Sequence, residues 1–289
     1  MNIQWFPGHM TKSLRQMEAS LPLADVILYV LDARAPKSCI NPVLNGMIQG
    51  KPIIYVLNKA DLVPSSAMTA WREKLSGGTV SAVSINGTAS GSAKAILPLV
   101  QKLAVVKIEK YRSKGISVSL RGMVVGVPNT GKSTLINNLC GQAKTVTGNR
   151  PGVTRGKQWV RINDYFELLD TPGTLYPKLN NQTIAQNLAY IGSIKDEVLD
   201  SFALSCVLLE DIHRIDPSVL KMRYGLFFDT FKGDTIAAME AIAKARGYLL
   251  RGGEPDTERA ATAVLDDFRK GRLGKIILDK AEDYGTEDK

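Results

Sequence analysis

Cysteine and histidine are scarce in this 289-residue chain. The three cysteines, Cys39, Cys140 and Cys206, are scattered and form no CxxC pair. That spacing excludes a zinc site and a disulfide framework, and it suits the reduced thiols of a cytoplasmic protein. No apolar run approaches the roughly 18 residues needed to cross a bilayer, so no membrane partner is expected. The opening Met1-Asn2-Ile3-Gln4-Trp5 lacks the basic-then-apolar pattern of a secretory signal and is not an Arg-rich transit peptide. There are no internal repeats or low-complexity tracts.

What is present is a composition able to bury a core, with 44% hydrophobic residues. The length suits one large domain or two modest ones. The net charge of +9 is unevenly placed. Residues 1–200 hold 23 Lys and Arg against 12 Asp and Glu, whereas residues 201–289 hold 14 against 16. A basic body favours a polyanionic partner, although a merely basic soluble protein would look the same. The densest basic run is Lys102, Lys107, Lys110, Arg112, Lys114 and Arg121. Its helical spacing equally suits a solvated helix face.

Short apolar runs at 26–31 and 53–57 read as buried parallel strands, ending at Asp32 and Asn58. Further strands are expected at 80–84 and 123–125. A hairpin is expected at 159–162 and 166–169, turning at Asn163-Asp164. Helical patterns fall at 10–20, 65–76, 90–113 and 132–140. Strands alternating with helices predict an α/β sheet with crossovers. From about residue 182 the pattern is helical throughout. Asp256 or Thr257 would cap a helix with Ala260, Ala261, Val264, Leu265 and Phe268 on one face. Residues 1–180 are therefore assigned to the α/β domain and 181–289 to a smaller α-helical domain. The acidic end, 281–289, is expected to fray.

Gly126-Val127-Pro128-Asn129-Thr130-Gly131-Lys132-Ser133 matches a P-loop, GxxxxGKS, between a strand and a helix. Backbone N–H groups from Asn129 to Ser133 would wrap phosphate at the helix N-terminus, with Thr134 beside the α-phosphate. Lys132 would reach the β/γ oxygens and Ser133 would hold Mg²⁺. Asp170-Thr171-Pro172-Gly173 reads as DxxG. Asp170 would act on the Mg²⁺ through water and Gly173 would offer its N–H to the γ-phosphate. Thr154, in the intervening loop, is the candidate switch threonine on the metal.

Asn58-Lys59-Ala60-Asp61 reads as the base-recognition tetrad NKxD. Asp61 would accept from guanine N1 and N2, Asn58 would contact the N7/O6 side, and Lys59 would lie along the base. Adenine would leave the Asp61 carboxylate unpaired, which disfavours an ATP enzyme. The backbone N–H groups of Asn86 and Gly87, after the third strand, are candidates for guanine O6.

The tetrad precedes the P-loop, the reverse of the usual GTPase order. Ligand groups in such folds sit on loops at the C-terminal edge of a parallel sheet. Joining old termini that lie close together keeps every loop in place, with 88–120 as the new connection. A circularly permuted P-loop GTPase domain, a mostly parallel sheet flanked by helices, is therefore expected.

With this motif order, Trp5-Phe6-Pro7-Gly8-His9-Met10, Asp32-Ala33-Arg34-Ala35-Pro36 and the run from Asp170 to Lys178 resemble the circularly permuted GTPases of the YlqF/YawG family. The resemblance covers nearly the whole chain. It implies a cytoplasmic bacterial GTPase acting late in large (50S) ribosomal subunit assembly, with rRNA and ribosomal proteins as partners. It likens the helical tail to RNA-binding ANTAR modules, and we expect a monomer. Thr174 stands where Ras-like enzymes place a water-orienting Gln, and it cannot fill that role. The resemblance nominates His9 instead; the alternatives are that His9 packs or meets an RNA phosphate. His213, in the tail, reads as structural. Asn129 resembles the potassium-binding Asn of cation-dependent GTPases. Arg246, Arg251, Arg259, Arg269, Lys270, Arg272 and Lys275 could form a basic face on the tail. A rival reading is an RNA-binding assembly factor for which GTP is only a structural ligand.

Overall fold

The computed structural model describes residues 8–115, 119–141, 158–176, 179 and 181–285. Six strands form one sheet: β1 (Val26–Asp32), β2 (Ile53–Asn58), β3 (Val80–Ile85), β4 (Leu120–Val125), β5 (Gln158–Asn163) and β6 (Phe166–Asp170). Their spatial order is β3-β2-β1-β4-β6-β5. All neighbours are parallel except the β5–β6 hairpin. Every residue of β1 and β2 is buried, as continuous apolar strands covered on both faces must be.

Helices α1 (Gly8–Glu18), α2 (Pro36–Cys39), α3 (Pro42–Ile48) and α4 (Ser65–Leu75) belong to the first half. The connection made by the permutation holds α5 (Ile96–Leu103) and α6 (Val105–Arg112), two helices broken at Ala104 where the spacing predicted one. Helix α7 (Lys132–Cys140) follows the P-loop over the expected residues. The tail comprises α8 (Gln182–Tyr190), α9 (Ser201–Ile215), α10 (Ser218–Tyr224), α11 (Thr235–Ala245) and α12 (Thr257–Arg269). Asp256 caps α12 by accepting from the Arg259 N–H, and Ala260, Ala261, Val264, Leu265 and Phe268 are buried.

The two faces of the sheet carry different cores, because successive side chains of a strand point to opposite sides. Val26, Leu28 and Val30 of β1 pack with Ile96, Val100, Leu135 and Ile136 on one face. Ile27, Tyr29 and Leu31 share the other core with Leu188, Leu209, Val264 and Phe268 of the tail. The tail therefore completes the apolar cover of the sheet.

The chain end departs from expectation. Instead of fraying from 281, the segment after α12 returns across the first half of the molecule. Leu278 N–H donates to Arg34 O at 2.7 Å, and Trp71 Nε1–H to Asp279 O at 3.1 Å. Tyr284 packs against the Trp71 ring at 5.9 Å. The physical reason is burial: Trp71, Leu273 and Ile276 leave water together. Residues 286–289 lie outside the described residues.

Candidate nucleotide-binding site

Because the strands carrying the motifs are parallel, their following loops converge on one edge of the sheet. Asp32 ends β1, Asn58 ends β2, Asn86 follows β3, the P-loop follows β4 and Asp170 ends β6. The chain runs outward from β1 through β2 to β3 and from β4 to β6 in the opposite sense. The β1/β4 boundary is thus a topological switch point, where open α/β sheets bind ligands.

Asn58 is only 3% exposed and is committed to the protein. Its Nδ2 donates to Thr130 O at 2.8 Å, and its Oδ1 accepts from Gly87 N–H at 2.8 Å. Asn58 thus ties the P-loop to the loop after β3, and the Gly87 N–H, the candidate for guanine O6, donates to Asn58 Oδ1. Gly131 makes this approach possible. It lies at φ +91, and a Cβ there would run into Asn58 Nδ2. From the other side, α7 holds the same loop: Asn138 Nδ2 donates to Gly87 O at 3.0 Å and Ala89 O at 2.6 Å, and its Oδ1 accepts from Ala93 N–H. Asn86 Oδ1 accepts from Thr88 N–H, closing the turn.

Lys59 is left-handed, φ 62, and its Nζ donates to Asp32 Oδ2 at 2.7 Å and Asn129 O at 2.9 Å. Ala60 and Asp61 follow in a short 3-10 turn, with the Asp61 carboxylate exposed at the sheet edge. Burial alone would raise the Asp32 carboxyl, but Arg34 and Lys59 outweigh it and hold it well below the usual range.

In the P-loop, Thr130 is buried and donates to Val127 O at 3.1 Å. Lys132 is folded over the turn, donating to Val127 O at 2.8 Å and Gly126 O at 3.2 Å. Burial pushes its ammonium down to about 8, with Asp170 opposing. Ser133 Oγ donates to Asp170 Oδ2 at 3.0 Å, while Thr134 is half-buried one residue on. A hydroxyl and a carboxylate side by side at a helix start are hard oxygen ligands that fit Mg²⁺, whose remaining positions are filled by water and phosphate. When bound, the ion would neutralise phosphate charge. Thr154, the third expected ligand, lies outside the described residues. Thr174 N–H donates to Gly126 O at 3.3 Å, which lays Gly173 against the P-loop. Thr174 and Leu175 are both buried. His9 falls in the first turn of α1, and its side chain lies outside the described structure. Its neighbour Met10 accepts from Leu175 N–H through Sδ at 3.4 Å, so α1 begins beside the segment after DxxG.

Residues 121–223 match the family model described as 50S ribosome-binding GTPase. Ribosome biogenesis GTPase A of Bacillus cereus is 39% identical, over 99% of this chain and 97% of its own. The chain belongs to the ribosome biogenesis GTPase A family. The GDP-bound YlqF structure aligns with a TM-score of 0.65 at 26% identity, covering 93% of this chain and 100% of that one. The GNP-bound YlqF of T. maritima aligns at 0.61, also at 26% identity, over 94% and 99%.

Within this family's frame, what motif reading missed are structural ties to Gly192 and Ser193. Asn129 Nδ2 donates to Gly192 O at 2.6 Å and Ser193 Oγ to Pro128 O at 2.7 Å, joining the P-loop to the end of α8. Only their separation in sequence hid them.

The basic face foreseen on the tail is partly engaged in ion pairs. Arg223, Arg246 and Arg272 converge on Asp267, Lys270 pairs with Asp266, and Arg269 pairs with Asp196. Arg251, Arg259, Lys270, Arg272 and Lys275 are exposed. His213 pairs with Asp229 and packs on Phe228, a structural setting. Among the described residues no helix is long and apolar enough to cross a membrane.

Proposed function

We propose that this chain is a cytoplasmic GTP hydrolase that docks, as a monomer, on the precursor of the large (50S) ribosomal subunit, slow alone and stimulated by that particle. Hydrolysis would release it after a late assembly step. The observation that carries this reading is the convergence of the tetrad, P-loop and DxxG on one sheet edge in a chain of this family. In this reading Asp61 reads guanine, Lys132 and the P-loop N–H groups hold the phosphates, and Ser133 with Asp170 holds Mg²⁺.

His9 is the residue proposed to orient the attacking water. Thr174 and Leu175 are buried and unable to, and the start of α1 lies beside them. His9→Ala should keep GTP affinity and lose stimulated turnover. Single-turnover GTP hydrolysis with and without purified large subunits tests both points. Unchanged stimulation in His9→Ala removes His9 from the mechanism. No stimulation in the wild type favours the rival in which GTP is a structural ligand. A potassium ion beside Asn129 would add positive charge at the phosphates; equal rates in potassium and sodium would exclude it.

The rRNA contact is assigned chiefly to the basic body. Helix α6 buries none of its residues, and Lys102, Lys110, Arg112 and Lys114 are exposed. Nearby, Arg121 lies 5.1 Å over the exposed Trp159 ring, a cation beside an aromatic face that suits RNA. Reversing charge at Lys110 and Arg112 should weaken subunit binding and flatten its salt dependence by about one unit of slope per lost phosphate contact.

A further inference from the structure

The end of α12 forms the wall behind the base-reading tetrad. Arg34 is 1% exposed and faces two ways. Its Nε and Nη2 grip Asp32 Oδ1 and Oδ2 at 2.9 and 2.8 Å. Its Nη1 donates to Phe268 O at 2.9 Å and Arg269 O at 3.3 Å, two carbonyls at the α12 C-terminus. Asp32 in turn holds Lys59 in its left-handed conformation.

A second contact reaches the other side of Asp61. Gly271, at φ +70 just beyond α12, sits so close to Leu62 that a Cβ would overlap the Leu62 side chain. Ile276 N–H donates to Leu62 O at 3.1 Å. The exposed Asp61 is therefore suspended between two residues, Lys59 and Leu62, that are both fixed by the end of the tail. The same helix end reaches the P-loop side: Arg269 donates to Ala189 O and Tyr190 O, beside the Gly192 carbonyl that holds Asn129.

We propose that Arg34 and Gly271 are positioning residues for guanine recognition, which fix the base-reading segment to the end of α12 so that base discrimination depends on where the tail helices sit. The proposal rests on the reading of Asp61 as the carboxylate that meets guanine. Coupling of this kind is reciprocal: a partner that displaces α12 loosens guanine nucleotide, and bound guanine nucleotide holds α12 in place.

The test compares affinities for GDP and IDP, which lacks the 2-amino group that Asp61 would bind. Arg34→Lys keeps the charge and loses the fork. Gly271→Ala strains a positive φ and strikes Leu62, whereas Gly274→Ala strains a similar φ, +87, in open space. Each variant is measured where circular dichroism shows it folded. Arg34→Lys and Gly271→Ala should cut the GDP/IDP preference about tenfold, while Gly274→Ala keeps it despite the same kind of backbone strain. Should one of the two fail to fold, the other decides. A preserved preference in the folded variants overturns the proposal. Asp61→Asn separates the two levels. If it abolishes the preference while Arg34→Lys and Gly271→Ala keep it, only the positioning role falls. If it also keeps the preference, the base-reading assignment falls and takes the positioning role with it.

Discussion

Asp32 shows how a residue outside the nucleotide motifs can govern them. It is fully buried between Arg34 and Lys59. Asp32→Asn would leave Arg34 buried without its counter-charge, at a cost of about 3–5 kcal/mol in chemical unfolding at neutral pH. The sign of its pH dependence follows from the direction of the shift. The folded-state carboxyl lies below its ordinary 3.8, so ionisation stabilises the fold above that value and the benefit drains as pH falls below it. The gap between wild type and Asp32→Asn should therefore narrow in unfolding titrations carried below about pH 4. Thr174 gives the opposite case. Its buried hydroxyl has no hydrogen-bond partner among the described residues. Thr174→Val removes a desolvated polar group and should raise the stability of the nucleotide-free protein by about 1 kcal/mol, read as a higher melting temperature.

Among the elements, α7 does more than follow the P-loop. Its Asn138 amide serves three backbone groups of the loop after β3. Asn138→Ala should free that loop while α7 stays intact. Hydrogen exchange at 87–93 is expected to accelerate at least tenfold, the equivalent of about 1.4 kcal/mol, with little change along α7. GDP affinity should fall in parallel, since the proposed reading sets this loop beside the base. Unaltered exchange would mean that the loop is held by its own turn at Asn86 and Ser92.

At the scale of the whole molecule, the tail and one sheet face share a single core, and the chain end closes over Trp71. Asp279, on that closing segment, accepts from Ser38 N–H, Ser38 Oγ and Asn187 Nδ2, linking α2, α8 and the chain end. Burial raises its carboxyl, so this group's contribution to stability declines as pH rises from 3.8 through the raised value. Unfolding should be one cooperative event. Trp71 fluorescence and helical circular dichroism should give coincident thermal transitions, and a separate early loss of helix would show a tail that melts alone.

The sequence by itself determined the strands, α7, the buried face of α12 and the three nucleotide motifs with their reversed order. Each of these is written in a local signal: an apolar run, a helical period, a glycine-rich turn, or a short tetrad. It did not determine what Asn58 touches, whether the tail arginines face water, or where the chain end lies. Those depend on pairings such as Arg34 with Phe268 and Ser38 with Asp279, separated by 234 and 241 residues. No local period encodes such a pairing. Only the tertiary structure brings α12 behind the tetrad, because burying the tail against the sheet face leaves its end carbonyls beside Arg34, where a buried guanidinium needs acceptors.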